Sequence, residues 1–244
     1  MSDASAQVVR GGRQSLGSRI TYRVLHTLAK GLARVYFRTY ARNKERMPDG
    51  AVIISPNHRS NLDVPLLGAT SPRRLRYLAK GSLFTSRFWG WFLTTLGGFP
   101  LDRGSTADRG ALKAALSVLE RGEALAVFPE GERKAGPTVY PMADGAVWLS
   151  VKSGAPILPV GIGGSEQAMP KGANVPMPSK LVFLYGEPIP APSNADGSRV
   201  SRGQMRAASD ELRVILQDLF DQAQELAGSP NPPVDERPPL PDDA

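Results

Sequence analysis

Five short apolar runs, separated by helical stretches, are the feature that most limits how this chain can fold. They begin near residue 51 and read AVIIS, LRYLA, ALAVF, PILPVGI and KLVFLY. Apolar runs of this length without polar alternation are typical of strands that are buried on both faces. The sequence therefore predicts a single α/β domain over residues 47–227, with a mixed, mostly parallel sheet flanked by helices.

Two helices are predicted inside this domain. Ser105 followed by Asp108 resembles a capping box and opens the segment ADRGALKAALSVLERG, with Gly122 as its stop signal. A second long helix is expected from roughly Gln204 to Leu226. Its apolar side chains fall towards one face at Met205, Leu212, Ile215, Leu219 and Phe220.

The segments outside the domain differ sharply from it. We expect residues 1–14 to form a flexible N-terminus, and residues 15–46 to form a basic amphipathic helix, because apolar residues recur at helical spacing there. Residues 228–244 contain six prolines among seventeen residues and are predicted to be disordered.

The predicted N-terminal helix also holds the charge excess. Residues 1–50 contain ten basic and three acidic residues, so they carry the whole net charge of +7 and leave the remainder neutral. We expect this helix to lie in an anionic membrane interface, with its basic side chains reaching the headgroups. The alternative is a helix that packs on the domain and exposes a solvated basic face. A neutral body makes nucleic acid an unexpected partner.

Hydropathy indicates a peripheral protein. No window of 18 or more apolar residues predicts a spanning helix, and the polar start lacks the apolar core of a secretory signal. We therefore expect a peripheral position at the cytoplasmic face of the cell membrane. The sequence carries no signal for an oligomeric state.

Composition narrows the chemistry. The chain has no cysteine and only two histidines, His26 and His58. Thiol nucleophiles, disulfides, thiolate-bound metals and multi-histidine metal sites are thereby excluded, and we expect no metal and no cofactor.

The segment SPNHRSNLD follows the first apolar run and places Asp63 five residues after His58. A carboxylate that orients an imidazole leaves its other ring nitrogen free to accept a proton, as a general base does. A helix-capping aspartate near a structural histidine would give the same spacing. Ser60 is predicted to be a turn or capping residue rather than a nucleophile.

Two later segments, GGFPLDR and FPEGERK, also follow apolar runs and place charge beside glycine and proline. Such turns expose backbone amides. Arg103 would offer a bidentate fork to a phosphate, and the turn at Glu130 and Gly131 would bring main chain close to a ligand. Taken singly, each is equally consistent with a strand-end turn and a solvated arginine.

In order and spacing, NHRSNLD, GGFPLDR, FPEGER and APILPV resemble the four motifs of the lysophosphatidic acid and glycerol-3-phosphate acyltransferase superfamily. The resemblance runs from about Val52 to Val160, and more loosely to Glu187. It implies that His58 is the catalytic base and that Asp63 orients it. It further implies that five residues bind the acceptor and its phosphate, and that Pro159 lies on the acyl-CoA side. The five acceptor residues are Lys80, Arg103, Glu130, Gly131 and Arg133.

The chain departs from the family pattern at several positions. Glu132 stands where threonine or serine is common, and it could pair with Arg133 or Lys134. Gly81, Ser82 and Leu83 follow Lys80 where the family often has x-Glu-Leu, and Asp144 stands near a place where a basic residue is frequent. These departures bear on acceptor identity more than on the chemistry.

The resemblance implies transfer of a fatty acyl group from acyl-CoA to the sn-2 hydroxyl of 1-acylglycerol 3-phosphate, without a covalent acyl-enzyme. Its product would be phosphatidic acid, an intermediate of phospholipid biosynthesis. Two alternatives stay open: the same chemistry on another lysophospholipid, a glycolipid or glycerol 3-phosphate, or a catalytically silent membrane-surface scaffold.

Overall fold

The computed structural model describes residues 27, 30, 31, 33–80, 98–101, 107–173 and 175–239. The strands in this part of the chain are β1 (Tyr40–Arg42), β2 (Val52–Pro56), β3 (Leu75–Lys80), β4 (Gly98–Leu101), β5 (Ala124–Ala126), β6 (Ile157–Gly163) and β7 (Val182–Tyr185). The helices are α1 (Asp63–Thr70), α2 (Ala107–Glu120), α3 (Gly145–Ser153), α4 (Ser165–Ala168) and α5 (Arg202–Ala227). Short 3-10 turns lie at Lys44–Arg46 and Val234–Glu236.

The strands form one seven-stranded sheet in the order β1-β7-β6-β2-β5-β3-β4. Neighbouring strands are parallel except for β6 and β7, which are antiparallel. The predicted fold class, a mixed and mostly parallel α/β sheet flanked by helices, is confirmed. Strands β2, β5 and β6 therefore end at one edge of the sheet, called the carboxyl edge below. Strands β1 and β7 begin there, because they run in the opposite direction.

The central strand β2 shows why its apolar run is continuous. All five of its residues are buried, and consecutive side chains alternate between the two faces of the sheet. Ile54 packs in one cluster with Leu67 of α1, whereas Ile53 packs in the other with Leu149 of α3 and Leu216 of α5. Each face thus has its own core.

The five predicted strands are all present, and the sheet contains two more strands that were not predicted. Strand β1 lies in the segment predicted as helix, and strand β4 spells GFPL, whose glycine and proline signal a turn. Both of these short strands lie at the outer ends of the sheet.

Most of the predicted N-terminal helix lies outside the described residues, as does the predicted flexible N-terminus. The helical residues 33–36 are its described end, so the predicted boundary at residue 46 is wrong. Arg38 adopts a left-handed conformation with φ 46°, and the Thr39 amide and hydroxyl both donate to the Ala33 carbonyl. These contacts end the helix and turn the chain into β1.

The predicted C-terminal helix is confirmed and begins slightly earlier, at Arg202. Ser201 and Gln204 form a reciprocal capping box at its start, and Gly228 ends it in a left-handed conformation with φ 89°. None of the helices in the described part of the chain is long and apolar enough to cross a membrane.

The residues after α5 are more ordered over 228–239 than the prediction of a disordered tail implied. Arg237 forms an ion pair with Asp221 of α5 at 2.9 Å, and Asn231 donates to the same aspartate at 2.7 Å. These polar contacts hold a proline-rich segment that has little apolar area of its own to bury. Residues 240–244 lie outside the described part.

Strand β6 and helix α5 approach each other very closely. A Cβ atom at Gly161 would lie 2.1 Å from the Leu219 carbonyl oxygen, and one at Gly163 would lie 2.2 Å from that of Ala223. Glycine is required at both positions because the obstacle is helix backbone, which cannot rotate away. This contact fixes α5 against the strand that leads to the carboxyl edge.

Gly161→Ala is expected to lower the free energy of unfolding by about 2 kcal/mol or more, because the added methyl group must displace α5. Gly110→Ala on α2 is the matched control, since nothing lies within 4 Å of a Cβ there. That control is expected to stabilise the protein by about 0.5–1 kcal/mol, because alanine favours helix over glycine. Urea denaturation compares the variants, and wild-type stability in Gly161→Ala would contradict the close packing.

Candidate active site

His58 and Asp63 meet at the carboxyl edge, two and seven residues after β2. The His58 Nδ1 atom lies 2.8 Å from Asp63 Oδ2. Because a carboxylate only accepts, Nδ1 carries the proton in the neutral ring, and Nε2 presents a lone pair. The His58 side chain is 15% exposed while that of Asp63 is fully buried. The ring is therefore partly accessible, whereas the carboxylate that holds it is not.

Asp63 is held by backbone donors as well as by the ring. Its Oδ2 atom accepts from the amides of Arg59 and Ser60, each at 2.7 Å. Asp63 is the first residue of α1, where the helix dipole favours a negative charge, but its side chain does not cap the helix. The carboxylate instead folds the loop back on itself and orients the histidine, so Asp63 is not the helix cap that the spacing alone also allowed.

Asn57 joins this loop to the sheet. Its side-chain amide donates to the Ile162 carbonyl at 3.1 Å and accepts from the Ile162 amide at 2.7 Å. The pair of bonds continues the β2–β6 pairing beyond Pro56. Ser60 ties the other end, because its hydroxyl donates to the Met169 carbonyl at 2.8 Å. This agrees with the turn role predicted for Ser60.

Glu130 reaches the same loop from the segment after β5. Its Oε1 atom accepts from the His58 amide at 2.9 Å, and its Oε2 atom accepts from the Tyr140 amide at 3.2 Å. The Arg59 guanidinium donates to both oxygens at 2.9 Å through Nη1. The side chains of Arg59 and Glu130 are 1% and 0% exposed. An ion pair in the protein interior thus joins the first motif to the third.

Arg59 is satisfied by further acceptors. It donates to the carbonyls of Gly136, Thr138 and His58 at 3.1, 2.8 and 3.0 Å. Its guanidinium carbon lies 4.9 Å from the ring centre of Phe220 on α5. A buried charge is tolerated only when it is paired and fully hydrogen-bonded, and Arg59 meets both conditions.

Sequence reasoning missed several residues of this arrangement. Phe128 packs against the imidazole of His58, with ring centres 4.3 Å apart, and the Lys134 amide donates to the His58 carbonyl at 2.9 Å. Parallel pairing of β2 with β5 is the signal that could have placed Phe128 beside His58. No sequence signal separates the buried Arg59 from a solvated arginine.

The third motif supplies the other expected site residues. Gly131 adopts φ 74° and its amide donates to the Phe128 carbonyl at 3.1 Å, which makes the turn expected there. Arg133 is partly exposed on the same loop. Glu132 pairs with Lys134 at 3.1 Å, one of the two partners considered for it. Acceptor binding by Gly131 and Arg133 stays a prediction.

For Glu130 the geometry favours a different use from the one that the family resemblance implies. Both of its oxygens are engaged by protein donors in the interior, so this carboxylate positions the loop that carries His58. Pro159 is buried in β6, opposite Ser55 of β2, and its carbonyl accepts from the Gly186 amide at 2.9 Å. A contact of Glu130 with acceptor, or of Pro159 with acyl-CoA, stays a prediction.

Two expected site residues, Arg103 and Lys80, remain. Arg103 lies outside the described residues, and Lys80 is the last residue of β3, paired with Leu101 of β4. Within the described ranges, no three histidine, cysteine, aspartate or glutamate side chains are grouped so that they could hold a metal ion.

The comparisons with known proteins agree with this geometry. A family model described as Acyltransferase matches residues 38–163. The 1-acyl-sn-glycerol-3-phosphate acyltransferase of Bacillus subtilis is 28% identical over 75% of this chain and 89% of that protein. The chain spans about half the length of two other relatives of that name, 45% of the chloroplastic Brassica napus protein and 54% of the Streptococcus pneumoniae protein.

The fold has a solved counterpart. The crystal structure of the 1-acyl-sn-glycerophosphate (LPA) acyltransferase PlsC from Thermotoga maritima superposes with a TM-score of 0.65 over 85% of this chain and 82% of that one, at 24% identity. The region matched by the family model defines the class of the protein, an acyltransferase. The chain belongs to the Acyltransferase family, and the resemblance to lysophosphatidic acid acyltransferases seen in its four motifs is confirmed.

Glu130→Ala is expected to lower the free energy of unfolding by about 3–5 kcal/mol, because it leaves the buried Arg59 without its counter-ion. The matched control is Glu132→Ala two residues away, whose side chain is 60% exposed. Surface pairs contribute about 0–1 kcal/mol, so the control should be nearly neutral. Chemical denaturation measures both, and equal effects would contradict an interior pair.

Proposed function

We propose that this acyltransferase moves a fatty acyl group from acyl-CoA to the sn-2 hydroxyl of 1-acylglycerol 3-phosphate and forms phosphatidic acid. The observation that carries the proposal is the position of the partly exposed His58 ring at the carboxyl edge. Its Nδ1 atom lies 2.8 Å from Oδ2 of the buried Asp63. The acceptor follows from the names of the relatives, which also support a place in phospholipid biosynthesis.

In the proposed mechanism His58 Nε2 removes the proton of the acceptor hydroxyl as its oxygen attacks the thioester carbonyl. A C–O bond forms, the C–S bond breaks, and the proton on His58 passes to the departing sulfur, which gives free CoA and the ester. Asp63 stabilises the imidazolium between these steps. A thiol with a pKa of about 8.5 is a good leaving group, so the mechanism requires no covalent acyl-enzyme.

Substrate contacts in this proposal rest on the family resemblance. Lys80 and Arg103 would hold the acceptor phosphate with charge-assisted hydrogen bonds, and Gly131 and Arg133 would border it. Pro159 would lie on the acyl-CoA side. The proposal needs no metal or other cofactor, because the base and the thioester supply the chemistry.

We also propose peripheral attachment to the cytoplasmic face of the membrane, because the acceptor is itself a lipid that lies in the interface. The basic segment 15–46 is the predicted attachment element. An anionic bilayer is the expected surface, since residues 1–50 carry all of the net positive charge.

Two rivals give different outcomes in solution. A silent scaffold would release no thiol, although the assembled His58–Asp63 pair supports catalysis. The same chemistry on another acceptor would show a different substrate preference. Glu132, which departs from the family pattern beside the third-motif turn, is the reason to test other acceptors.

The proposal is tested by thiol release from palmitoyl-CoA with a panel of acceptors: lysophosphatidic acid, other lysophospholipids, a glycolipid and glycerol 3-phosphate. An acyl-carrier-protein thioester is run beside acyl-CoA as the alternative donor. We expect lysophosphatidic acid to be preferred and the product to be phosphatidic acid by mass spectrometry. No turnover with any pair would remove the enzymatic assignment, and preference for another acceptor or donor would replace that substrate in the proposal.

His58→Ala is expected to lower turnover by about 10³-fold or more while leaving the fold intact, because general-base catalysis contributes about 10²–10⁴-fold. Asp63→Asn should lose nearly as much. Ser60→Ala is the matched control in the same loop and should retain most activity, because only its backbone amide contacts Asp63. Loss of activity in Ser60→Ala as large as in His58→Ala would contradict the assignment of Ser60 as a turn residue, and wild-type activity in His58→Ala would contradict the assignment of the base.

A further inference from the structure

Exposed apolar side chains concentrate at one place on the described surface. Five of the seven large apolar residues that are exposed there are Val35, Tyr36, Tyr40, Val175 and Met177, and we call this set the apolar rim. Val35 and Val175 are 81% and 74% exposed. The Tyr36 hydroxyl donates to the Pro176 carbonyl at 3.0 Å, so the end of the N-terminal helix and the 169–181 loop form one surface.

The rim is held in place by backbone hydrogen bonds. The Leu181 amide donates to the Phe37 carbonyl at 3.1 Å, and the Tyr40 amide donates to the Leu181 carbonyl at 2.9 Å. On the other side the Met177 amide donates to the Ala168 carbonyl at 2.7 Å. Phe37 and Leu181 are buried beneath it. Its apolar side chains are therefore presented outward by a fixed backbone.

The topology of the sheet places the rim beside the active site. Strands β1 and β7 begin at the carboxyl edge, where Tyr40 pairs with Val182 and Val182 pairs with Gly163 at the end of β6. The 169–181 loop also touches the first motif, through the Ser60 hydroxyl bonded to the Met169 carbonyl. The rim and the His58 ring consequently share one edge of the molecule.

The charge around the rim is of one sign. Four basic residues are exposed on the segment around the end of the N-terminal helix and on the 169–181 loop: Arg34, Arg38, Lys171 and Lys180. Residues 33–42 and 167–181 contain no aspartate or glutamate. The two other exposed apolar residues, Val214 and Val234, have acidic neighbours in sequence, including Asp210 and Asp235. Among the exposed apolar residues in the described part of the chain, those of the rim are the ones bordered by basic residues and by no acidic residue within these two segments.

We propose that the apolar rim and its basic border form a membrane-contact site, in which the 169–181 loop extends the predicted attachment segment 15–46, docks on anionic lipid and turns the mouth of the active site towards the bilayer. Apolar side chains enter the interface while basic ones attract the headgroups. The inference deepens the proposed function and rests on it, because an acceptor that lies in the bilayer must reach His58. A second copy of the chain is a poorer occupant, since two basic borders would repel each other.

The test compares Val175→Asp/Met177→Asp with the matched control Val214→Asp/Val234→Asp, which adds the same charge at the other exposed apolar positions. Sedimentation with phosphatidylcholine vesicles, with and without phosphatidylglycerol, measures binding. We expect the rim variant to lose at least about tenfold in partitioning to anionic vesicles, since each charge and each buried apolar group contributes. The control should bind as the wild type does.

Activity separates this inference from the proposed function. With a water-soluble short-chain lysophosphatidic acid, both variants should match the wild type, whereas with acceptor embedded in anionic vesicles only the rim variant should fall. An inactive wild type on the soluble acceptor would remove the proposed function, while vesicle binding would still decide the rim. Equal vesicle binding by the rim and control variants would overturn the rim assignment.

Two further measurements cover other occupants. A drop in melting temperature confined to Val175→Asp/Met177→Asp would show that the chain itself covers the rim and would overturn the proposal, and a concentration-dependent dimer lost only in that variant would do the same. Should the aspartates prevent folding, Val175→Ser/Met177→Ser removes the apolar area without adding charge. That variant is also expected to lose vesicle binding.

Discussion

The ion pair between Arg59 and Glu130 is the contact that makes one site from two loops. Arg59 follows His58 directly, and Glu130 lies 71 residues away in sequence, in the loop after the neighbouring strand β5. Because Glu130 also accepts from the His58 amide, the same carboxylate fixes the backbone that carries the proposed base. Removing two charges from water is costly, and this cost is offset by their mutual pairing and by hydrogen bonds from two backbone amides to Glu130 and from Arg59 to three carbonyls.

The sheet determines where these loops meet. Parallel pairing of β5, β2 and β6 brings their carboxyl ends to one edge. The loops that follow these strands are therefore neighbours although they are distant in sequence. The close approach of Gly161 and Gly163 to α5 then fixes β6, and Asn57 hydrogen-bonds to Ile162 of that strand. The position of His58 therefore depends on how closely β6 packs against α5.

Local patterns predicted a large part of this structure. The five apolar runs could be recognised as strands because a strand that is buried on both faces is apolar along most of its length, and its own sequence shows this. The closeness of His58 and Asp63 could be predicted because they are five residues apart, whereas the choice between an oriented imidazole and a helix cap needed the structure. Strand β1 was missed because YAR lies within an apparently continuous helical pattern, which a left-handed Arg38 interrupts. The role of Arg59 could not be predicted, since burial of a charge is decided by residues elsewhere in the chain.

If Glu130 acts on catalysis by holding His58 in place, the effects of changing the two residues are coupled, and a double-mutant cycle measures that coupling. Acyl transfer is compared in the wild type, His58→Ala, Glu130→Gln and the variant with both changes, each confirmed as folded by circular dichroism. Residues that act as a unit are not additive. We predict that Glu130→Gln slows the wild type strongly but leaves His58→Ala at the rate that it already has. Losses that multiply in the double variant would show that Glu130 contributes independently and would contradict the account.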